Sequence, residues 1–177
     1  MKKESKTLIY TRRLVAAAVL SALGFVFMYL GTLTGVMDLC AVVVGALCCA
    51  FAVIELSGFW PWLIFAVTGT LCLLLLPDKF PALEYIALGG LYPILKSLFE
   101  KLPTVISFIL KAVSLNIMLT LCLLAAKFIF SISDDWVAFN PIVYLCANAF
   151  FILFDYALTV FISYYLTKLR HRLKIRL

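Results

Sequence analysis

Lys111 and Asp155 each stand deep inside an apolar run, ISFILKAVSLNIMLTLC around the first and FFILFDYALTVF around the second. An ionisable side chain surrounded by hydrocarbon is costly, so it marks either a functional site or a paired structural one. Lys111 lies roughly 12 Å into its run and Asp155 roughly 16 Å from the end of its own, at a helical rise of about 1.5 Å per residue. If the two helices touch, those depths permit a Lys111–Asp155 ion pair. Such a pair either braces the helices or takes part in ion coupling or ligand contact. Lys96 lies closer to the end of its segment. It either snorkels to the interface or competes for Asp155. Asn116 and Asn148 also interrupt apolar runs, where an amide forms hydrogen bonds across helices or faces a cavity.

Other chemistry is missing from the sequence. The only histidine, His171, lies in the basic tail, so neither a histidine-built metal site nor a serine–histidine pair within the membrane is expected. H-E-x-x-H, GxxxxGK[ST] and GxGxxG are absent, so no zinc peptidase centre or phosphate-cradling loop is predicted. No D-G-x-x-A-R pattern and no selectivity-filter signature occurs. Cys40, Cys48, Cys49, Cys72, Cys122 and Cys146 all lie in apolar runs without a CxxC pair, and read as small buried hydrophobes. The chain is expected to be no enzyme, with no catalytic residues, cofactor or metal, and any energised transport requires a partner.

The elements that hold these residues must lie in lipid. Of 177 residues, 66% are hydrophobic and 14% charged, and the mean hydropathy is +1.14. A soluble core of this size could not cover so much apolar surface. Six runs reach the roughly 20 residues that a span needs: about 12–33, 38–56, 60–77, 82–100, 103–130 and 141–167. The first is long for a signal peptide and no A-x-A site closes it, so it reads as a retained span. Asp38 suits a helix start and Pro103 a first helical turn. Gly89, Gly90 and Pro93 interrupt the fourth span, an irregularity tolerated only against protein or water. It predicts either a kink or a cavity wall.

Charge placement orients the bundle. Five basic residues precede Leu14 and five follow Leu166, which puts both termini in the cytoplasm. Lys96 and Lys101 flank the expected inner loop, whereas the outer loops hold Lys79 alone beside Asp78, Asp134 and Asp135. The connection 55–59 carries no basic residue. Trp60 and Trp62 fall at the inner interface and Trp136 at the outer. The basic tails are short and abut apolar segments, which argues against nucleic-acid binding. The expected fold class is therefore an all-α integral membrane protein, a single six-transmembrane-helix bundle with both termini cytoplasmic.

Within the first span, Ala16, Ala17, Ala18, Ser21 and Ala22 form a small-residue cluster. Small residues four apart let helix backbones approach in lipid, and the pairs Ala18/Ala22 and Ala17/Ser21 have that spacing. The stripe serves either packing inside the bundle or docking of another membrane protein. A six-span chain of this length with Ala18-Val19-Leu20-Ser21-Ala22 in its first span resembles the substrate-binding S components of energy-coupling factor (ECF) importers. No vitamin-specific signature accompanies it.

The resemblance implies a protein of a bacterial plasma membrane that captures a vitamin-like small molecule from outside. It also implies partners, a coupling transmembrane protein and two ATPases, with Ala18 and Ala22 packing against the coupling protein. Transferred onto this chain, the ligand site falls in the outward half. Glu84, Tyr85, Asn116, Trp136, Asn140 and Asn148 are then expected substrate contacts, with Asp38 and Asp78 at the rim. The alternative function is a non-transporting membrane scaffold or accessory protein of lipid or envelope synthesis, using the same alanine face. A lipid-modifying enzyme is the third reading.

Overall fold

The computed structural model describes residues 6–35, 37–56, 58–128 and 141–169. Every regular element among them is helical: α1 (Lys6–Thr34), α2 (Asp38–Glu55), α3 (Trp60–Leu75), α4 (Phe80–Glu84), α5 (Leu91–Phe99), α6 (Thr104–Phe128) and α7 (Pro141–Tyr164). A π-helical turn, Tyr85–Gly90, joins α4 to α5, and a second, Tyr165–Leu169, extends α7. Stretches in α1, α2, α6 and α7 are long and apolar enough to cross a membrane, and α3 is a shorter apolar helix. This is an all-α protein built for lipid.

Local chemistry sets the breaks. Gly35 and Gly58 take φ of +64° and +66° in the turns after α1 and α2, a backbone region that costs little only for glycine. Pro61 stands in the first turn of α3, where its missing N–H is harmless. After α3, Lys79 Nζ donates to the Leu76 carbonyl at 2.6 Å, and Asp78 Oδ1 accepts from the Phe80 N–H at 3.0 Å. The short connection thereby closes one helix and opens the next.

The helix α2 is the centre of the molecule. Half of its spanning window is buried, against 28% for α1, 22% for α6 and 17% for α7. Ala41, Gly45, Ala46, Cys48, Cys49, Ala50 and Ala52 line its buried surface, and these small side chains let neighbours approach on several sides. Helix α1 turns Ala17, Ser21, Gly24, Met28 and Gly31 inward, spaced alternately four and three apart, with Ser21 and Gly24 meeting Thr68 of α3 and Gly31 meeting α2. Gly31 abuts Ala41 so closely that a methyl group would overlap it. Cys48, Cys49, Cys72 and Cys122 are buried, but Cys40 and Cys146 lie on exposed helix faces. Each stands beside an exposed leucine, Leu39 or Leu145, on a face turned outward, so apolar context did not mean burial there.

Candidate functional site

The sequence YPILKSLFE places Tyr92, Lys96 and Glu100 four residues apart, on one face of α5 and its C-cap. Asp155 and Thr159 have the same spacing on α7, and α6 brings Lys111 between them. The result is a four-charge cluster. Lys111 Nζ lies 3.1 Å from Asp155 Oδ2 and 3.3 Å from Oδ1. Lys96 is 1% exposed and donates to the Asp155 carboxylate, to Thr159 Oγ1 at 2.7 Å and to the Asp155 carbonyl at 3.2 Å. Glu100 Oε1 is 3.1 Å from Lys96 Nζ and 3.5 Å from Lys111 Nζ. The Tyr92 hydroxyl donates to Asp155 as well. Two cations thus face two anions, and Asp155 is the hub that touches all three helices.

Above this cluster, α6 and α7 run antiparallel and share further polar contacts. Asn116 Nδ2 donates to Asn148 Oδ1 at 3.2 Å, and Asn148 Nδ2 returns a bond to Asn116 Oδ1 at 3.1 Å. Each amide also donates to the carbonyl one turn back, Ala112 or Tyr144, at 2.8 Å. One turn farther, Thr120 Oγ1 and the Tyr144 hydroxyl are 3.0 Å apart. Asn116 and Asn148 therefore satisfy one another, while Asn116 and Thr120 also edge an open groove of about 510 Å³ on α6.

Tyr85 is 1% exposed. Its ring fills a slot whose walls are glycine. A methyl group on Gly45 would stand 2.8 Å from the ring, one on Gly89 2.7 Å and one on Gly90 3.3 Å. The π-helical turn lies where Gly89 and Gly90 interrupt the helix, and it faces protein on both glycines. Glu84 is half-buried one residue earlier and shares this end of the molecule with Asp38 and Asp78. Asp38 Oδ1 is buried with no hydrogen-bond partner among the described residues. Trp136 and Asn140 lie outside the described residues.

The small residues of α1 divide between two faces. Ala17 and Ser21 are 1% and 3% exposed and pack inward, Ser21 offering its carbonyl to Thr68 Oγ1 at 3.4 Å. Ala18 and Ala22 are exposed on the outside.

Sequence reasoning passed over three groups. Tyr92, Glu100 and Thr159 join the cluster, and their four-residue spacing with Lys96 and Asp155 was the available signal. Glu55, read as part of a connection, is 9% exposed at the end of α2 and accepts from the Tyr165 hydroxyl at 3.1 Å. The small residues of α2 outnumber those of α1 and mark the central helix.

Comparison with protein-family models, with curated proteins and with solved structures finds no match to this chain.

Proposed function

We propose that the chain is a six-span substrate-capture subunit of an ECF-type importer, with both termini cytoplasmic in a bacterial plasma membrane. The observation that carries the reading is the division of α1. Ala17, Ser21, Gly24 and Gly31 meet the chain's own helices, which leaves Ala18 and Ala22 as an outward-facing smooth patch for a coupling transmembrane protein seated on two ATPases. A vitamin-like ligand enters from the end that carries Asp38, Asp78 and Glu84. Its polar groups replace the mutual bonds of Asn116 and Asn148, so neither amide is left unsatisfied in the free or the bound state. Tyr85, Trp136 and Asn140 enter this reading only as contacts that the resemblance implies, the last two lying outside the described residues. The protein binds and does not transform its ligand.

The test is a mild-detergent pull-down of the tagged chain from its native membranes. Recovery of a polytopic protein with two ATPases, lost on Ala22→Trp while ligand binding persists, supports the importer. Recovery of the chain alone overturns it. A second reading, the non-transporting scaffold of lipid or envelope synthesis, is favoured by the buried Tyr85 ring and by the Asn116–Asn148 pair, whose amides bond to one another. Recovery with envelope-synthesis enzymes instead selects that reading.

A further inference from the structure

Glu100 holds the least settled place in the charge cluster. It is the C-cap of α5, where the carbonyls of the last helical turn repel a carboxylate. Its side chain is 44% exposed, and its ion pairs to Lys96, at 3.1 Å, and Lys111, at 3.5 Å, both fall on one oxygen, Oε1. The acceptors around Lys96 also exceed its donors. An ammonium group has three N–H bonds, whereas Lys96 Nζ has four oxygens within reach: Asp155 Oδ1, the Asp155 carbonyl, Thr159 Oγ1 and Glu100 Oε1. The first three lie on α7 and brace one another, since Thr159 Oγ1 donates to the Asp155 carbonyl at 2.8 Å. Glu100 is the surplus acceptor. Lys111 likewise has both carboxylate oxygens of Asp155, at 3.1 and 3.3 Å, before it reaches Glu100. When Glu100 swings out to water, two cations face one anion.

We propose that this position is a binding site for a small carboxylate solute, which displaces Glu100 and sets one oxygen between Lys96 and Lys111. Glu100 itself is the template, because a carboxylate oxygen already bridges the two ammonium groups. Its exposure at the connection between α5 and α6 supplies the way in to Lys96, which is itself 1% exposed. Both lysines keep Asp155 throughout, so the exchange of one carboxylate for another never leaves a buried cation bare. The site uses none of the residues assigned to the importer's ligand and stands independently of that reading.

The test is saturation-transfer difference NMR on the full chain, purified in a neutral detergent, with sodium acetate as the probe. Acetate is expected to bind saturably. Glu100→Gln removes the competing charge and keeps the shape, and it tightens acetate binding about fivefold, the upper end of what an exposed ion pair contributes. Adding Lys111→Gln to Glu100→Gln abolishes the binding, whereas adding Lys127→Gln, in the last turn of α6, leaves it unchanged. Gel filtration alongside the parent confirms that each variant is folded. The absence of saturable binding to a folded Glu100→Gln variant overturns the proposal, as does an affinity equal to the parent's. Competition by chloride as strong as by propionate also overturns it, by marking an unselective anion site. Displacement of acetate by phosphatidylglycerol in the micelles overturns it in favour of a lipid head group.

Discussion

Asp155→Ala is the most informative single substitution. Lys96 has a side chain only 2% exposed, so removal of its main counter-ion strands a cation away from water. Breaking a buried ion pair from one side typically costs about 3–5 kcal/mol. Two features bring the value to the bottom of that range. Glu100 Oε1 remains 3.1 Å from Lys96 Nζ, and Asp155 itself is 23% exposed, so it was never fully desolvated. The expected loss is about 3 kcal/mol. Lys111→Ala removes a cation at the cluster's edge and leaves Asp155 bonded to Lys96 and Tyr92, for about 1 kcal/mol, within the range of interhelical polar contacts in membranes. The double variant Lys96→Met/Asp155→Leu replaces both partners by apolar side chains of similar volume and should be more stable than Asp155→Ala alone. Reversible unfolding in mixed micelles, followed by circular dichroism, measures all three together with the single changes Lys96→Met and Asp155→Leu. The reasoning is refuted if Asp155→Ala falls within about 0.5 kcal/mol of the parent, the scale of an ordinary surface change. It is equally refuted if the double variant equals the sum of its single changes to within about 0.5 kcal/mol.

Further outcomes follow from the same geometry. Gly45→Ala sets a methyl group 2.8 Å from the buried Tyr85 ring and should cost about 1–3 kcal/mol, the usual penalty of overpacking, whereas Gly45→Ala with Tyr85→Leu recovers part of it in the same unfolding assay. Asn116→Leu alone leaves Asn148 Oδ1 without its donor, although Nδ2 keeps the Tyr144 carbonyl, and should cost about 1 kcal/mol, while Asn116→Leu/Asn148→Leu approaches the parent. Ala17→Trp, at a position 1% exposed, should abolish folding as judged by gel filtration, but Ala18→Trp should elute as the parent does. A cysteine placed at Asp78 should react with an impermeant maleimide added outside intact cells, and one at Lys101 only after lysis; the opposite pattern refutes the orientation.

The apolar runs were legible because lipid imposes length and composition on any helix that crosses it. The run read as 12–33 is helical from Lys6 to Thr34, since a helix does not stop where hydrocarbon ends and its polar first turns continue toward water. The fourth run, read as interrupted at Gly89 and Gly90, is continuous helix in which the irregularity takes the form of a π turn. Composition marks such a place but does not choose between a kink, a break and a wide turn. Asp155 was recognisable by its cost in hydrocarbon. Its choice among Lys96, Lys111 and Tyr92 was not, because that depends on helix neighbours, and it proved to bind all three. The inward faces of helices were hardest to read. In lipid both faces are apolar, so hydropathy no longer separates inside from outside, and the small residues of α2 drew less notice than the alanines of α1.

The π-helical turn between α4 and α5 has a consequence for how this sequence tolerates length changes. A π turn holds one more residue than the α-helix it interrupts, its hydrogen bonds reaching i→i+5 rather than i→i+4. Loss of a single residue between Tyr85 and Gly90 would let the segment close into unbroken α-helix with its two ends keeping nearly the same rotation, whereas loss of a residue from regular α-helix turns everything after it by about 100°. Glu84 and Lys96 are keyed to opposite ends of that segment. The acidic end near Asp38 and the charge cluster around Asp155 would thus keep their mutual rotation through a deletion at the π turn, whereas a deletion in α5 ahead of Lys96 would leave the hydropathy of the run almost unchanged while swinging Lys96 off Asp155.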